Sequence, residues 1–411
     1  MLYTAAVYAL LPWALLHLLW RARRQPAYLK QVGERFGFYR LTPRQPLIWI
    51  HAVSVGETRA AEPLIAALGR RHPDHAILIT HMTPTGRETS EALLGARVSR
   101  CYLPWDLPGA VGRFLRHFRP VAGIIMETEL WPNLLAACER HGVPVHLVNA
   151  RLSERSARRY ARLPGLTRRT LARLASVGAQ TERDAQRLQA LGAVRLEVTG
   201  NVKFDRPPPE AQLALGATLR ERFGAQRRVF LAASTRDGEE ALILDALAEI
   251  ADPALLTVIV PRHPQRFDAV AGLLAQRRLR FQRRSGNAPV DGQTRVLLGD
   301  SMGEMFAYYA ACDLAFIGGS LLPLGGQNLL EACAVGRAVI VGPHTFNFEE
   351  ATEQAIAAGA ALRVADAAGL ARTAAELLAR PERRQAMADA GLRFTARHRG
   401  ATERTLTLIG L

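Results

Sequence analysis

The sequence predicts an α/β protein with two doubly wound, Rossmann-like domains facing a cleft, preceded by an apolar helix. Three observations carry that expectation. From Pro46 onward, short apolar runs alternate with amphipathic helical stretches, the pattern of parallel sheets covered by helices. Arg206-Pro207-Pro208-Pro209 interrupts the alternation, reads as a stiff linker, and is followed by a restart of the same pattern. A length of 411 residues exceeds one ordinary core and fits two domains.

Taken in chain order, Leu2 to Trp20 is a run of 19 residues without a formal charge, bounded by Arg21, Arg23 and Arg24. As a helix it spans about 28 Å, close to the hydrocarbon thickness of a bilayer. Tyr3, Tyr8, Trp13 and Trp20 favour an interface, while Pro12 and His17 weaken a simple span, so a single span and a monotopic helix both stay open. No basic stretch precedes the run and no small-residue cleavage site follows it, which argues against a signal peptide. The arginines after it place the rest of the chain in the cytoplasm. Strands are expected near 47–53, 76–81, 99–103, 121–126 and 144–149, with short ones near 176–180 and 195–199. After the linker they recur near 228–233, 255–260, 295–298, 313–317 and 338–341, and from about 347 the chain reads as mostly helical. The expected organisation is an anchor at 1–24, a first domain at 25–206 and a second at 210–411. Ligands belong at the carboxyl ends of such strands, where loops and helix N-termini converge.

The formal charge of +16 and a pI near 10.7 call for an acidic partner: nucleic acid, an anionic membrane or a phosphorylated substrate. The arginines are spread over helices without a zinc-finger, RNP or helix-turn-helix pattern, which sets nucleic acid aside. Lys30 and Lys203 are the only lysines. In so arginine-rich a chain, a surviving lysine is either codon bias or a site that needs a compact ammonium rather than a planar guanidinium. Cys101, Cys138, Cys312 and Cys333 sit singly in apolar stretches and read as buried thiols.

Several βα loops carry small and polar residues: Ser54-Val55-Gly56-Glu57-Thr58, Thr83-Pro84-Thr85-Gly86, Gly318-Gly319-Ser320 and Gly325-Gly326-Gln327-Asn328. Glycines there let amides approach a ligand, although glycine is common in βα loops without any ligand. In Met126-Glu127-Thr128-Glu129-Leu130-Trp131-Pro132-Asn133, two acids follow a strand directly, and extended alternation would put Glu127 and Glu129 on one side. Either acid can instead cap the helix begun by Pro132. Pro261-Arg262-His263-Pro264 and Gly299-Asp300-Ser301-Met302-Gly303-Glu304 follow later strands, and an arginine there can meet a phosphate bidentately. Glu34, in Gly33-Glu34-Arg35-Phe36-Gly37, is either a loop carboxylate paired with Arg35 or a group placed between anchor and cleft, where a membrane-borne hydroxyl would arrive. There is no HExxH, no zinc-type spacing, no DxD pair and no GxSxG elbow. Neutralising phosphate with basic groups and helix dipoles, without a metal or other cofactor, is then the simpler expectation.

In order along the chain, GERFGFYR (33–40), HAVSVGET (51–58), MTPTG (82–86), METELWPN (126–133), NARLSERS (149–156), KFD (203–205), PRHPQRF (261–267), GDSMGE (299–304), FIGGS (316–320) and GPHTFNF (342–348) resemble the 3-deoxy-D-manno-octulosonic acid (Kdo) transferases of lipopolysaccharide synthesis. The resemblance spans nearly the whole chain. It implies a GT-B type glycosyltransferase on the cytoplasmic face of the inner membrane, with CMP-Kdo as donor and the lipid A precursor, lipid IVA, as acceptor. By motif it implies Glu34 as proton acceptor and Glu127 and Lys203 as transition-state stabilisers. It implies CMP contacts from Pro261 and Arg262, from Met302, Gly303 and Glu304, and from Asn328, Leu329, Leu330 and Glu331. The family usually has Asn-Pro-Leu-Glu at this last segment; without the proline the turn should soften while the Asn and Glu groups stay. Two rivals remain: an isomerase like the UDP-N-acetylglucosamine 2-epimerases, and a basic membrane-surface protein without catalysis.

Overall fold

The apolar runs become strands because helices cover both of their faces, so whole strands are buried rather than alternate residues. The computed structural model describes residues 2–42, 44–205, 207–224, 226–250 and 252–411. Met1 of the expected anchor and Arg206 of the expected linker lie outside them. Pro207, Pro208 and Pro209 carry no regular secondary structure.

The chain divides into two units, Met1–Arg206 with His398–Leu411, and Pro207–Arg397. In the first, seven strands pair in parallel: β1 (Leu47–His51), β2 (Ala76–His81), β3 (Ser99–Tyr102), β4 (Ala122–Met126), β5 (Val145–Ala150), β6 (Ser176–Ala179) and β7 (Leu196–Val198). Their order is 3-2-1-4-5-6-7, which puts the switch point between β1 and β4. The second unit holds β8 (Arg228–Thr235), β9 (Leu255–Pro261), β10 (Phe281–Arg283), β11 (Val296–Leu298), β12 (Leu314–Ile317), β13 (Ala338–Val341) and β14 (Ala361–Arg363). Their order is 10-11-9-8-12-13-14, with the switch point between β8 and β12. Strands β10 and β14 lie at the two edges of this sheet and fall where the sequence reading placed no strand.

Helix α1 (Leu2–Arg24) precedes the short α2 (Val32–Arg35); α3 (Val55–Arg71) follows β1 and α4 (Pro84–Leu94) follows β2. Leu47 and Trp49 point into one core of the first unit, and Ile48 and Ile50 into the core on the opposite face. Gly123 in β4 is required there, since a Cβ would stand 2.7 Å from the Trp49 ring. All four cysteines are buried and free.

The expectation of a second domain running over 210–411 needs correcting at its end. The last helix, Ala401–Ile409, returns to the first unit, where Ala401, Leu406 and Ile409 join the core of Ile48, Ile50 and Leu64. Its N-terminus is capped by Asp205, whose Oδ1 accepts from the Gly400 amide at 2.6 Å and whose Oδ2 accepts from Thr402. Burial of this apolar face outweighs closeness in sequence to the second sheet.

Candidate active site

Glu34 sits in the single turn of α2. Its Oε2 accepts from Arg87 Nη1 at 2.7 Å and from the Tyr102 amide at 2.8 Å, so the carboxylate is anchored to α4 and to the carboxyl end of β3. The pairing with Arg35 considered from sequence is not formed. Arg35 is buried, donates to the Met82 carbonyl at 3.1 Å, and stacks its guanidinium 4.3 Å from the Tyr102 ring centre. Arg87 lies over the same ring at 5.1 Å. Around Glu34 opens a groove of about 1210 Å³, lined by Phe38, Arg40, Arg87, Arg100, Arg113 and Arg116 among others. Glu34 is the one carboxylate among its lining residues, so the groove offers a strongly positive surface around a single acid.

A second group gathers at the switch point. Ser54 and Glu57 form a capping box at the start of α3: Ser54 Oγ accepts from the Glu57 amide at 3.4 Å, while Glu57 takes the Val53 amide at 2.7 Å and the Ser54 hydroxyl at 2.8 Å. Directly after β4, Glu127 adopts φ +56°, a left-handed conformation. The extended alternation expected to align Glu127 with Glu129 is therefore broken at its first residue. Glu127 Oε1 instead meets Lys203 Nζ at 3.3 Å, both side chains being about a third exposed. Burial pushes the Glu129 carboxyl up to about 7, with Glu57 and then Glu127 adding repulsion. Burial also raises Glu57, countered by the Val53 amide. Crowding among Glu57, Glu127 and Glu129 is visible only in three dimensions. The sequence signal was present, since all three flank the motifs after β1 and β4. Beneath the loops, His51 and His81 are core imidazoles, lowered by burial to about 3 and about 4 and hence neutral.

Glu34 and the Glu127–Lys203 pair share the carboxyl edge of one sheet but are not neighbours. Glu34 is fixed at the end of β3 and Glu127 at the end of β4, with β2 and β1 between them. Three strand spacings amount to roughly 14 Å.

In the second unit, Pro261 closes β9, and Arg262 donates from Nε to Gln327 Oε1 at 3.2 Å, joining that loop to the segment before Asn328. Met302 is exposed and Gly303 has φ +80°. Glu304 accepts from Ser301 Oγ at 2.6 Å and pairs with Arg284 at 3.2 Å. Asn328 Oδ1 takes the Leu330 amide at 3.1 Å, bracing the turn where the family's proline is missing. Leu329 and Leu330 are buried, so these two positions can present only backbone to a ligand. The Gly318-Gly319-Ser320 loop, read from sequence as a possible amide cradle, has already spent part of that capacity. Buried Glu239 accepts from the amides of Gly319 and Leu321, the latter at 3.0 Å, and Ser320 Oγ accepts from Gly342 at 2.8 Å. Among the described residues, no group of three or more His, Cys, Asp or Glu side chains is placed to hold a metal ion.

Two parallel seven-stranded sheets with ligand-type loops at their carboxyl edges define the fold class of GT-B glycosyltransferases. Solved structures agree. A UDP-GlcNAc 2-epimerase from Neisseria meningitidis matches with a TM-score of 0.60 at 17% identity, over 88% of this chain and 99% of its own. A glycosyltransferase from Rickettsia africae matches at 0.60 and 12% identity, over 89% and 98%. At such identities the likeness concerns the fold alone. Residues 241–394 match the glycosyl transferases group 1 family, and residues 30–206 match the 3-deoxy-D-manno-octulosonic-acid transferase (kdotransferase) family.

Whole-chain relatives are more specific. The 3-deoxy-D-manno-octulosonic acid transferase of Bordetella pertussis is 48% identical over 98% of this chain and 97% of its own. That of Haemophilus influenzae is 39% identical over 94% and 92%, and a probable mitochondrial one of Arabidopsis thaliana is 34% identical over 84% and 80%. The chain belongs to the 3-deoxy-D-manno-octulosonic acid transferase family and is a glycosyltransferase.

Proposed function

We propose that this enzyme transfers Kdo from CMP-Kdo to a lipid A precursor of the lipid IVA type, at the cytoplasmic surface of the inner membrane, with Glu34 as general base. The observation that carries this reading is one anchored carboxylate inside a groove whose lining includes five arginines and no other acid. A phosphorylated, membrane-borne acceptor suits that lining, and residues 25–206 are assigned to it. The second domain, from 210, is assigned to the donor.

The acceptor hydroxyl oxygen attacks the anomeric carbon of Kdo while Glu34 takes its proton. The bond from that carbon to the CMP phosphate oxygen breaks, and its electron pair leaves with CMP. Arg262 and the backbone amides around Gly303 and Leu329 would meet the phosphate charge. Carboxylates only accept hydrogen bonds, so Glu304 and Glu331 suit hydroxyl or amino groups of the nucleotide, and Asn328 can either donate or accept. Three strand spacings, roughly 14 Å, separate the strand ends beside which Glu34 and Glu127 are held. Glu34 therefore serves the acceptor hydroxyl, and Lys203, held by Glu127, faces charge developing on the donor side.

Replacing Glu34 with Gln keeps the shape and removes the base. CMP-Kdo binding by calorimetry should persist while transfer, followed by mass spectrometry of the lipid, falls by about 10²- to 10⁴-fold. Normal turnover by this variant would sink the assignment. Conversion of UDP-N-acetylglucosamine by the parent enzyme, with no product from CMP-Kdo, would favour the epimerase reading.

A further inference from the structure

We propose that Asn149, Gln180 and Asn201 are positioning residues for Lys203: together they close a circuit of hydrogen bonds that sets the turn from which this lysine reaches Glu127. The proposal deepens the reading of Lys203 above and rests on it. Lys203 stands in a single 3₁₀ turn, Val202–Asp205. Such a turn is short and its own hydrogen bonds are poorly aligned, so it has little stiffness. The lysine stem adds four flexible carbons. An ammonium on such a base meets a developing charge at a fixed point only if the surroundings fix the backbone.

The circuit begins at the carboxyl end of β5. Asn149 takes a left-handed conformation there, φ +52°, and the register of β5 on β6 breaks between Leu147 and Ala150. Asparagine tolerates this conformation better than most side chains, and an irregular strand end re-aims the side chain it carries. Asn149 Oδ1 accepts from the Val202 amide at 3.2 Å, while the Asn149 carbonyl accepts from Gln180 Nε2 at 2.9 Å. Gln180, directly after β6, accepts on Oε1 from Asn201 Nδ2 at 3.0 Å. Asn201 Oδ1 then accepts from the Lys203 amide at 3.0 Å. The chain of bonds thus leaves the turn at one amide, passes through the ends of two strands, and returns at the next amide. Asn149 and Gln180 are buried, where water does not compete for these bonds.

Other contacts close the remaining sides of the turn. Val202 lies in the core of Ile48 and Ile50, Phe204 stacks on His398 with ring centres 4.8 Å apart, and Asp205 caps the last helix. From this base Lys203 Nζ donates to Glu127 Oε1 at 3.3 Å. The Glu127 amide donates to the Val148 carbonyl at 2.9 Å. Two consecutive residues of β5 therefore hold the two halves of the pair: Val148 holds Glu127, and Asn149 holds the turn of Lys203. Buried amide side chains bring the fold little net stability. Their return is placement, since a group displaced by about 1 Å can lose about 10²-fold in rate.

The test is a double-mutant cycle on the full-length enzyme. Gln180→Leu and Asn201→Ala each open the circuit and leave the Lys203 and Glu127 side chains in place. Each should lower kcat by about 10- to 100-fold, with KM for CMP-Kdo unchanged and Tm close to the parent's. In a Lys203→Met background the same substitutions should cost no further rate, because no ammonium is left to misplace. Should the buried Gln180→Leu fail to fold, Asn201→Ala, at a half-buried position, carries the cycle alone. Losses of equal size in both backgrounds would overturn the proposal, as would parental kcat in the single variants or a defect confined to KM. A parental rate in Lys203→Met itself would overturn both this proposal and the reading of Lys203 beneath it.

Discussion

At the switch point of the first sheet, between β1 and β4, Glu57, Glu127 and Glu129 gather beside Lys203. At the corresponding place in the second sheet, between β8 and β12, Glu239 is consumed by the protein itself. It accepts from Arg236 at 2.9 Å and from the Gly319 and Leu321 amides, and none of it is exposed. Its neighbour Glu240 is likewise engaged, by Thr235 and Arg266, each at 2.8 Å. One architecture thus uses the same residue type in two ways. Where backbone amides saturate a carboxylate, it shapes a loop. At the first switch point Glu57 is held in the same manner, whereas Glu127 pairs with Lys203 and burial with neighbouring carboxylates raises the Glu129 carboxyl.

The largest effects that test this contrast should be kinetic and confined to the first sheet. Lys203→Met and Glu127→Gln should each lower kcat by about 10²- to 10³-fold with little change in KM for CMP-Kdo. Lys203→Arg should also be poor, and near-parental rates would reduce the lysine to codon bias. At the second switch point the effect should be structural: Glu239→Ala leaves buried amides unpaired and should destabilise that unit by about 3 kcal/mol, read by hydrogen exchange at Gly319 and Leu321. A purely kinetic defect there would erase the contrast. Asp205→Ala removes a cap and should cost about 1 kcal/mol, seen as faster proteolytic release of the last helix. The smallest effect concerns pH. Glu129 is raised from 4.5 to about 7 in the folded protein, so between those values the folded state binds more protons than the unfolded one. Stability contributed by this group is complete below pH 4.5 and lost as pH rises toward 7. Glu129→Gln should therefore gain in Tm relative to the parent across that window, and a constant difference would show that Glu129 titrates normally.

Much of this was legible in the sequence because it is local. Twelve strands announce themselves as short runs rich in apolar residues, since burial on both faces leaves few polar residues within most of them. Phe281-Gln282-Arg283 and Ala361-Leu362-Arg363 do not: three-residue edge strands are half solvated and have no periodicity to read. Its place in the chain made Glu34 only one candidate, and the resemblance of its motif singled it out; neither could reveal its partner Arg87, which lies 53 residues away. Likewise Leu329 and Leu330 stand inside a motif that suggests ligand contact, yet tertiary packing turns both side chains inward. The rise in Glu129 needs Glu57, brought beside it only by the pairing of β1 with β4.

The last helix carries a consequence for how the chain is made. Ala401, Leu406 and Ile409 complete a core whose other buried members lie between residues 48 and 202, yet they are translated some two hundred residues after the last of these. At 5–20 residues per second, the ribosome needs roughly 10–40 s to pass from the linker to the end of the chain. During that interval the first sheet exists with an apolar strip uncovered, while the second unit, contiguous in sequence, can close as soon as it emerges. Completion of the first unit thereby waits on residues made after the second. A nascent chain stalled before residue 398 should hold a finished second unit beside an unfinished first one, and is the species in which a chaperone has most to shelter.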